Sequence, residues 1–450
     1  MDPRDGRGWM GLSRQMVKTR NYTKARTLFK AGITNCPDNP FLLQAYGSME
    51  EKLGKADKAE KLYMASAKVS PTHGAAWVSL GRLCQRQGRL REAREYLKRA
   101  TEVDPKSYFA WQVRAVLEAE QGGVRDARLH FREALRANPR NAATYQAWGV
   151  MEAKQGKLDL AAQLLRKGHE VYPSNTYVLQ ALAMVEAERS NTAEAVQLLE
   201  KCVKVRPKDG AAHQSYALLV KKMGNFAEAR RLFRQGSEMS PRHSPIWQAW
   251  GLMEAELGNV AKARDIFQQG VWANPKGRYV SRILQAWGLL EYKQGNIAEA
   301  RRLFEGALQR DERSVPVMVA WALMEEKLWG LDRARDLLER AVEVDPTNAP
   351  LWKAYEAMEQ RNGFHEAANA VYERGMLACA PVEEESLSGM EQTQEGTPPN
   401  AEDGGGGKRP GAGGRAMNLF MDYAKESLGK LEESLDLGAY GLGDLTGGVV

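Results

Sequence analysis

The sequence predicts an all-α solenoid, a right-handed superhelix built from stacked helical hairpins. Three observations carry this. Prolines recur in steps of 34 residues, at Pro3, Pro37, Pro71, Pro105, Pro139, Pro173, Pro207, Pro241 and Pro275. One unit returns as near-copies, AWGVMEAKQGKLDLAAQLLRKGHEVYP at 147–173 and AWGLMEAELGNVAKARDIFQQGVWANP at 249–275. Each unit holds two helix-length patterns parted by a glycine or its equivalent, as at Gly54, Gly88, Gly122, Gly156, Gly224, Gly258 and Gly295. Self-similarity at a fixed period of this length marks a repeat array. About eleven repeats fill residues 1–380, with a three-residue insertion near KGRY (276–279) before the register resumes at Pro346.

The elements of one repeat follow in order. Two residues after the proline stand Asn39, Asn141, Asn175, Asp209 and Asn348, the residue types that cap a helix N-terminus. Helix A follows, with a small residue ten positions after the proline in most repeats, for example Gly47, Gly81, Gly149 and Gly251. Helix B carries a small residue followed by a large one four later, as in Ala229/Phe233, Ala263/Phe267 and Ala300/Phe304. Small residues let helices approach, and large ones fill the space between units.

Composition narrows the function. The chain has 450 residues, 43% hydrophobic and 27% charged, which is a folded composition. No apolar run reaches the roughly 18 residues of a membrane span, so no membrane insertion is expected. The cysteines Cys36, Cys84, Cys202 and Cys379 are far apart and form no CxxC pair, so neither a zinc site nor a disulfide framework is expected. The six histidines are dispersed without metal spacing, no serine or cysteine stands in a nucleophile motif, and GGGGKRP (404–410) lacks the hydroxyl residue of a phosphate loop. No enzyme and no cofactor is predicted. The opening MDPRDGRGWM resembles no targeting peptide and reads as the inside of a repeat, so the sequence is expected to be a piece of a longer protein. Residues 381–450 hold 5 Lys/Arg against 13 Asp/Glu, whereas 1–380 hold 59 against 44, a net of +15. A basic body of this kind suits a polyanionic partner.

Within the repeats, a glutamate recurs late in helix A: Glu50, Glu118, Glu152, Glu186, Glu254, Glu291, Glu325 and Glu359. An aromatic stands four residues earlier at Tyr46, Trp148, Trp250, Trp287, Trp321 and Tyr355. Helix B carries Ala-Arg at Arg26, Arg94, Arg128, Arg230, Arg264, Arg301 and Arg335. This W-x-x-(W/Y)-x-x-x-E … A-R-x-L-F wording resembles the half-a-TPR (HAT) repeat, a relative of the tetratricopeptide repeat. With AWGxMEAxxGN and ARxLFxxG it looks most like the plant and algal chloroplast factors that mature psbB/psbH messages. The resemblance implies binding of a 5′ untranslated region, protection from exonucleases, promotion of translation, and a place in the chloroplast stroma. The glutamate and the arginine ten residues later, as in Glu254/Arg264, are read as an ion pair holding one hairpin together, so these arginines are left out of the binding set.

Two further rows have no packing explanation. Seven residues after the proline stand Gln44, Gln112, Gln146, Gln180, Gln214, Gln248 and Gln285, with Val78, Val319 and Lys353 in the other repeats. Fifteen after it stand Lys18, Lys52, Arg86, Lys154, Lys222, Lys293, Lys327 and Arg361, interrupted by Glu120, Glu188 and Glu256. The two positions differ by about 80° around helix A and share a flank. By the resemblance to tetratricopeptide solenoids that flank lines the groove. Each glutamine offers an amide to a base edge, or bonds a neighbouring helix instead. The basic row, Lys52, Arg86, Lys154, Lys222, Lys293, Lys327 and Arg361 above all, is placed to track phosphates of single-stranded RNA. The competing class is a scaffold whose groove takes a peptide; a nuclear RNA-processing HAT protein is a third reading.

Residues 381–415 are rich in Gly, Glu and Pro and read as a disordered linker. In 416–450, MNLFMDYAKESLGKLEESLDL recovers helical periodicity, either as a cap on the last repeat or as a docking helix for a protein partner.

Overall fold

The computed structural model describes residues 6–277 and 279–379. The expected linker and C-terminal helix lie outside the described residues. Among the described residues every regular element is an α-helix, 22 in all, paired into eleven hairpins. Helix A of each hairpin is α1 (Gly6–Lys18), α3 (Pro40–Lys52), α5 (Gly74–Arg86), α7 (Tyr108–Glu120), α9 (Ala142–Lys154), α11 (Thr176–Glu188), α13 (Gly210–Lys222), α15 (Ser244–Glu256), α17 (Val280–Lys293), α19 (Val315–Lys327) and α21 (Ala349–Arg361). Helix B is α2 (Tyr22–Asn35), α4 (Ala56–Val69), α6 (Leu90–Val103), α8 (Val124–Ala137), α10 (Leu158–Val171), α12 (Thr192–Val205), α14 (Phe226–Met239), α16 (Val260–Ala273), α18 (Ile297–Arg310), α20 (Leu331–Val344) and α22 (His365–Cys379).

Local chemistry sets these boundaries. The Asn39 side chain accepts from the amides of Phe41 and Leu42, and Asn141, Asn175, Asp209 and Asn348 cap their helices likewise. At the A–B turn the chain needs one left-handed residue, and eight repeats supply glycine, such as Gly54 at φ 76°. Arg20, Ser190 and Trp329 take that conformation without being glycine, at a cost of about 1 kcal/mol each. Ten residues after the proline, a side chain on Gly81 would collide with Leu97 of helix B, so the small residue fixes how closely A and B pack.

The chain divides into two compact units: residues 1–153 with 157–182, and residues 154–156 with the repeats from Ala183 onward. In the first unit the buried apolar residues form separate clusters, one around Phe29 and Tyr46, one around Tyr63, Trp77 and Leu97, and one around Phe131 and Met151. In the second they form one continuous core from Ala183 to Val371.

Successive hairpins are joined by a buried clamp. Arg26 donates from Nε and Nη2 to the two oxygens of Glu50 at 2.7 and 2.9 Å. Arg128–Glu152, Arg230–Glu254, Arg264–Glu291, Arg301–Glu325 and Arg335–Glu359 repeat this bidentate geometry, and Arg94 bonds Glu118 through Nε alone. This corrects the expected pairing. The arginine of helix B reaches the glutamate of the next repeat, not the one ten residues before it in its own hairpin. The reason is direction: the arginine faces the following helix A. The tie within a hairpin comes instead from another cation of helix B, Lys58 to Glu50 and Lys262 to Glu254, each at 2.9 Å. The glutamates also accept from the indole N–H four residues earlier, at 2.8 Å for Trp148 and 2.9 Å for Trp287 and Trp321. Asn259 and Asn296, at the start of helix B, complete the shell around Glu254 and Glu291.

These contacts hold the carboxylates ionised. Arg26, joined by Lys58, lowers Glu50 to about 2 against the opposing effect of burial. At Glu254 burial is the largest influence and acts to raise the value, but Arg230, Lys262 and Asn259 together overcome it and hold the group at about 2. Because both carboxyls titrate below their ordinary value of 4.5, the stability they contribute is fully present above about pH 4.5 and is lost as pH falls toward 2. Far-UV circular dichroism during thermal melts should show a steep drop in melting temperature below pH 4.5, beneath a decline that begins near pH 6.5 because burial holds His73, His130 and His243 neutral; Glu50→Gln with Glu254→Gln should reduce the steep drop and leave the upper decline in place. Glu254→Ala, which strands Arg230, Lys262 and Asn259, should lower stability by about 3 kcal/mol in urea unfolding, and an unchanged midpoint would remove the clamp from the account.

Candidate nucleic-acid interface

The basic row ends the A helices. Lys18, Lys52, Arg86, Lys154, Lys222, Lys293, Lys327 and Arg361 are the last residues of α1, α3, α5, α9, α13, α17, α19 and α21. A cation there complements the helix dipole, which gives the row a structural role of its own. Several members do more. Arg86 pairs with Glu51 at 2.5 Å, and Arg361 grips Glu326 with two bonds of 2.9 and 2.7 Å. Gln85 donates to Glu120, and Lys221 pairs with Glu256 at 2.6 Å. In all four the residue fourteen after one proline meets the residue fifteen after the next, forming rungs between consecutive A helices. At Lys52, Lys154, Lys222, Lys293 and Lys327 the opposite rung residue is Val17, Ala119, Ala187, Ala255 or Tyr292, none of which is an acid. Of these lysines, Lys52, Lys222, Lys293 and Lys327 are exposed and Lys154 is half-buried.

The glutamine row is drawn into the stack. Gln44 donates to Ser79 of the next repeat, Thr144 donates to Gln112, His243 Nε2 donates to Gln214, and Gln285 donates to the carbonyl of Pro316. Gln214 and Gln285 are 5% and 1% exposed, so they hold neighbouring hairpins and present no amide outward, contrary to the groove position expected of them. Gln44, Gln112, Gln146, Gln180 and Gln248 are half-buried.

A position that sequence reasoning passed over, eleven residues after the proline, differs between the two units. In the second unit it is Met184, Leu218, Leu252, Leu289 and Leu323, all buried, and the half-buried Ala357 of the last repeat. In the first unit it is the exposed Arg14 and the half-buried Ser48, Arg82, Val116 and Val150. Leucine closes the helix-A face, whereas serine, arginine or valine leaves it open. The signal lay in comparing residue types between repeats at one register position.

Family models described as tetratricopeptide repeat match residues 41–106, 113–175, 186–251 and 286–349, together more than half of the chain. The chain belongs to the tetratricopeptide-repeat family. It is 35% identical over 77 residues to the PsbB mRNA maturation factor Mbb1, chloroplastic, of Chlamydomonas reinhardtii, a match that covers 17% of this chain and 12% of that protein. Among solved structures it is similar to yeast Tom70, at 12% identity and a TM-score of 0.47 over 84% of this chain and 93% of that one. It is also similar to a tetratricopeptide repeat protein from Parabacteroides merdae, at 20% identity and a TM-score of 0.43 over 55% and 98%.

One clamp of this tetratricopeptide-repeat protein is rewritten. Glu60 stands in the arginine position and Cys84 in the glutamate position, and Glu92 joins them with ligand atoms within 4.8 Å of one another. Arg89 donates to Glu60 at 2.7 Å and to Glu92 at 3.0 Å, so the carboxylates are already met by a cation. Burial pushes the Cys84 thiol up to about 11, which keeps it protonated and a poor ligand. The node reads as the same inter-repeat tie with its charges exchanged.

The closed and open faces carry different packing loads. Leu252→Ala should cost about 2–5 kcal/mol in urea unfolding, and Val116→Ala about 1 kcal/mol or less. Equal losses would contradict the distinction.

Proposed function

We propose that this protein binds single-stranded RNA along its helix-A faces and acts, without catalysis, to protect, process and translationally activate a chloroplast message. The observation that carries the reading is the recurrence of a cation at one register position, the last residue of eight A helices, in a repeat region of net charge +15. Cations at one register position in eight of eleven repeats suit a strand that carries a phosphate at every linkage. The printed name of the Chlamydomonas relative, a chloroplastic factor for psbB mRNA maturation, supports the choice of ligand and compartment. A strand held along such a row is shielded from exonucleases by occupancy alone and is prevented from pairing with itself.

Lys52, Lys154, Lys222, Lys293 and Lys327 are the residues this reading assigns to phosphates, with Gln146, Gln180 and Gln248 beside them. Arg86 and Arg361, committed to Glu51 and Glu326, contribute less. For five phosphate contacts, the logarithm of affinity for an unstructured RNA should fall with the logarithm of salt at a slope of about −3.5. Fluorescence anisotropy across a salt series checks it. Binding that is absent, or that is outcompeted by peptide and not by RNA, would support the protein-scaffold reading instead.

A further inference from the structure

The two units differ in more than packing. The first unit carries 30 Lys/Arg against 18 Asp/Glu, a net of +12. The repeats of the second, 154–156 with 183–379, carry 29 against 26, a net of +3. Most of the positive charge of the array therefore sits where the helix-A face is open.

A second row follows the same division. Four residues after the proline, alternate repeats of the first unit carry Phe41, Phe109 and Tyr177, with Ala75 and Ala143 between them. The three rings are 56%, 43% and 56% exposed, although the Phe41 ring also meets the His73 ring edge-on at 4.6 Å. In the second unit the same position is Ala211, Pro245, Arg282, Pro316 and Pro350, with no ring at all. Positions four, seven, eleven and fifteen fall within about 80° of one another on a helix. On α3 this aligns Phe41, Gln44, Ser48 and Lys52 as ring, amide, hydroxyl and cation along one flank. The Arg82 guanidinium lies 5.8 Å from the centre of the Phe109 ring, so cation and ring also adjoin across consecutive repeats.

We propose that the helix-A face of the first unit is where the bases of a single RNA strand stack, on Phe41, Phe109 and Tyr177, while the lysines of the second unit meet phosphates only. This rests on the RNA reading above and assigns base contact to one half of the array. On α7 and α11 the fifteenth position is Glu120 and Glu188, so there the cations come from elsewhere in the basic unit, as Arg82 does at Phe109; exposed rings in a basic setting suit single-stranded nucleic acid, because every base has a π face and every linkage a charge. The net charge of the unit favours a polyanion over a peptide with apolar side chains.

The test uses the full chain and an unstructured RNA with 5-bromouracil in place of uracil. Phe41→Leu, Phe109→Leu and Tyr177→Leu combined keep apolar bulk and remove the π faces. This variant should bind at least tenfold more weakly with an unchanged salt slope. Lys222→Ala, Lys293→Ala and Lys327→Ala combined should make the slope shallower by about 2. Photocrosslinks in the wild type should fall on peptides holding Phe41, Phe109 or Tyr177. Trp329, 84% exposed at a turn of the second unit, is the most exposed of the competing rings, with Trp272 at 68%. The inference is overturned, with RNA binding left standing, if the leucine variant binds as the wild type does, or if crosslinks and loss of affinity follow Trp329→Gly. A wild type that binds no RNA overturns the RNA reading and this inference together.

Discussion

The array depends on a buried carboxylate that belongs to two repeats at once. Glu254 lies in helix A of its own hairpin, accepts from Lys262 and Asn259 of that hairpin, and accepts two bonds from Arg230 of the preceding one. A buried charge is tolerable only when its oxygens are filled, so removing any donor exposes the cost of the rest. The clamp therefore couples the fold of a hairpin to its stacking. Exceptions keep the same logic. The Val196 position, where other repeats have arginine, is matched by Val220 where they have glutamate, so both charges are absent. Glu186 draws Arg189 at 2.9 Å and Asn191 at 2.6 Å from its own hairpin. The Glu60–Arg89 tie reverses the sign.

Much of the fold is legible in the sequence because it is local and repeated. The prolines give the period, the asparagines the helix starts and the glycines the turns, and each acts within a few residues of itself. The partner of Glu254 was not legible. Arg264 is nearer in sequence than Arg230, yet Arg230 is the one whose helix faces the carboxylate. Sequence spacing ranks neighbours along the chain, and the choice between two chemically identical arginines depends on which side of helix B meets the next repeat. The site was read in part for the same reason. The glutamine row is visible as a row, but the burial of Gln214 and Gln285 goes with bonds to His243 and to the Pro316 carbonyl of the following repeats, partners that spacing does not reveal. The lysine row is visible too, but which of its members meets an acid across the rung depends on the residue fourteen after the previous proline, as with Glu51 facing Arg86.

One register position thus decides what a repeat has available. A leucine eleven residues after the proline adds apolar burial to the stack and removes polar surface from the helix-A flank. Serine, arginine or valine does the reverse. The first unit, with its separate small cores, gives up packing on that flank and gains a face that is open and basic; the second unit, with its continuous core, has the opposite balance. Both arise from one repeat plan, because the clamp and the glycine turn lie on other sides of the hairpin and are indifferent to the change. The exposed rings Phe41 and Phe109 stand in repeats whose eleventh position is serine or valine, so no leucine covers their flank, whereas Tyr177 stands where the first unit ends and shares its helix with the buried Met184.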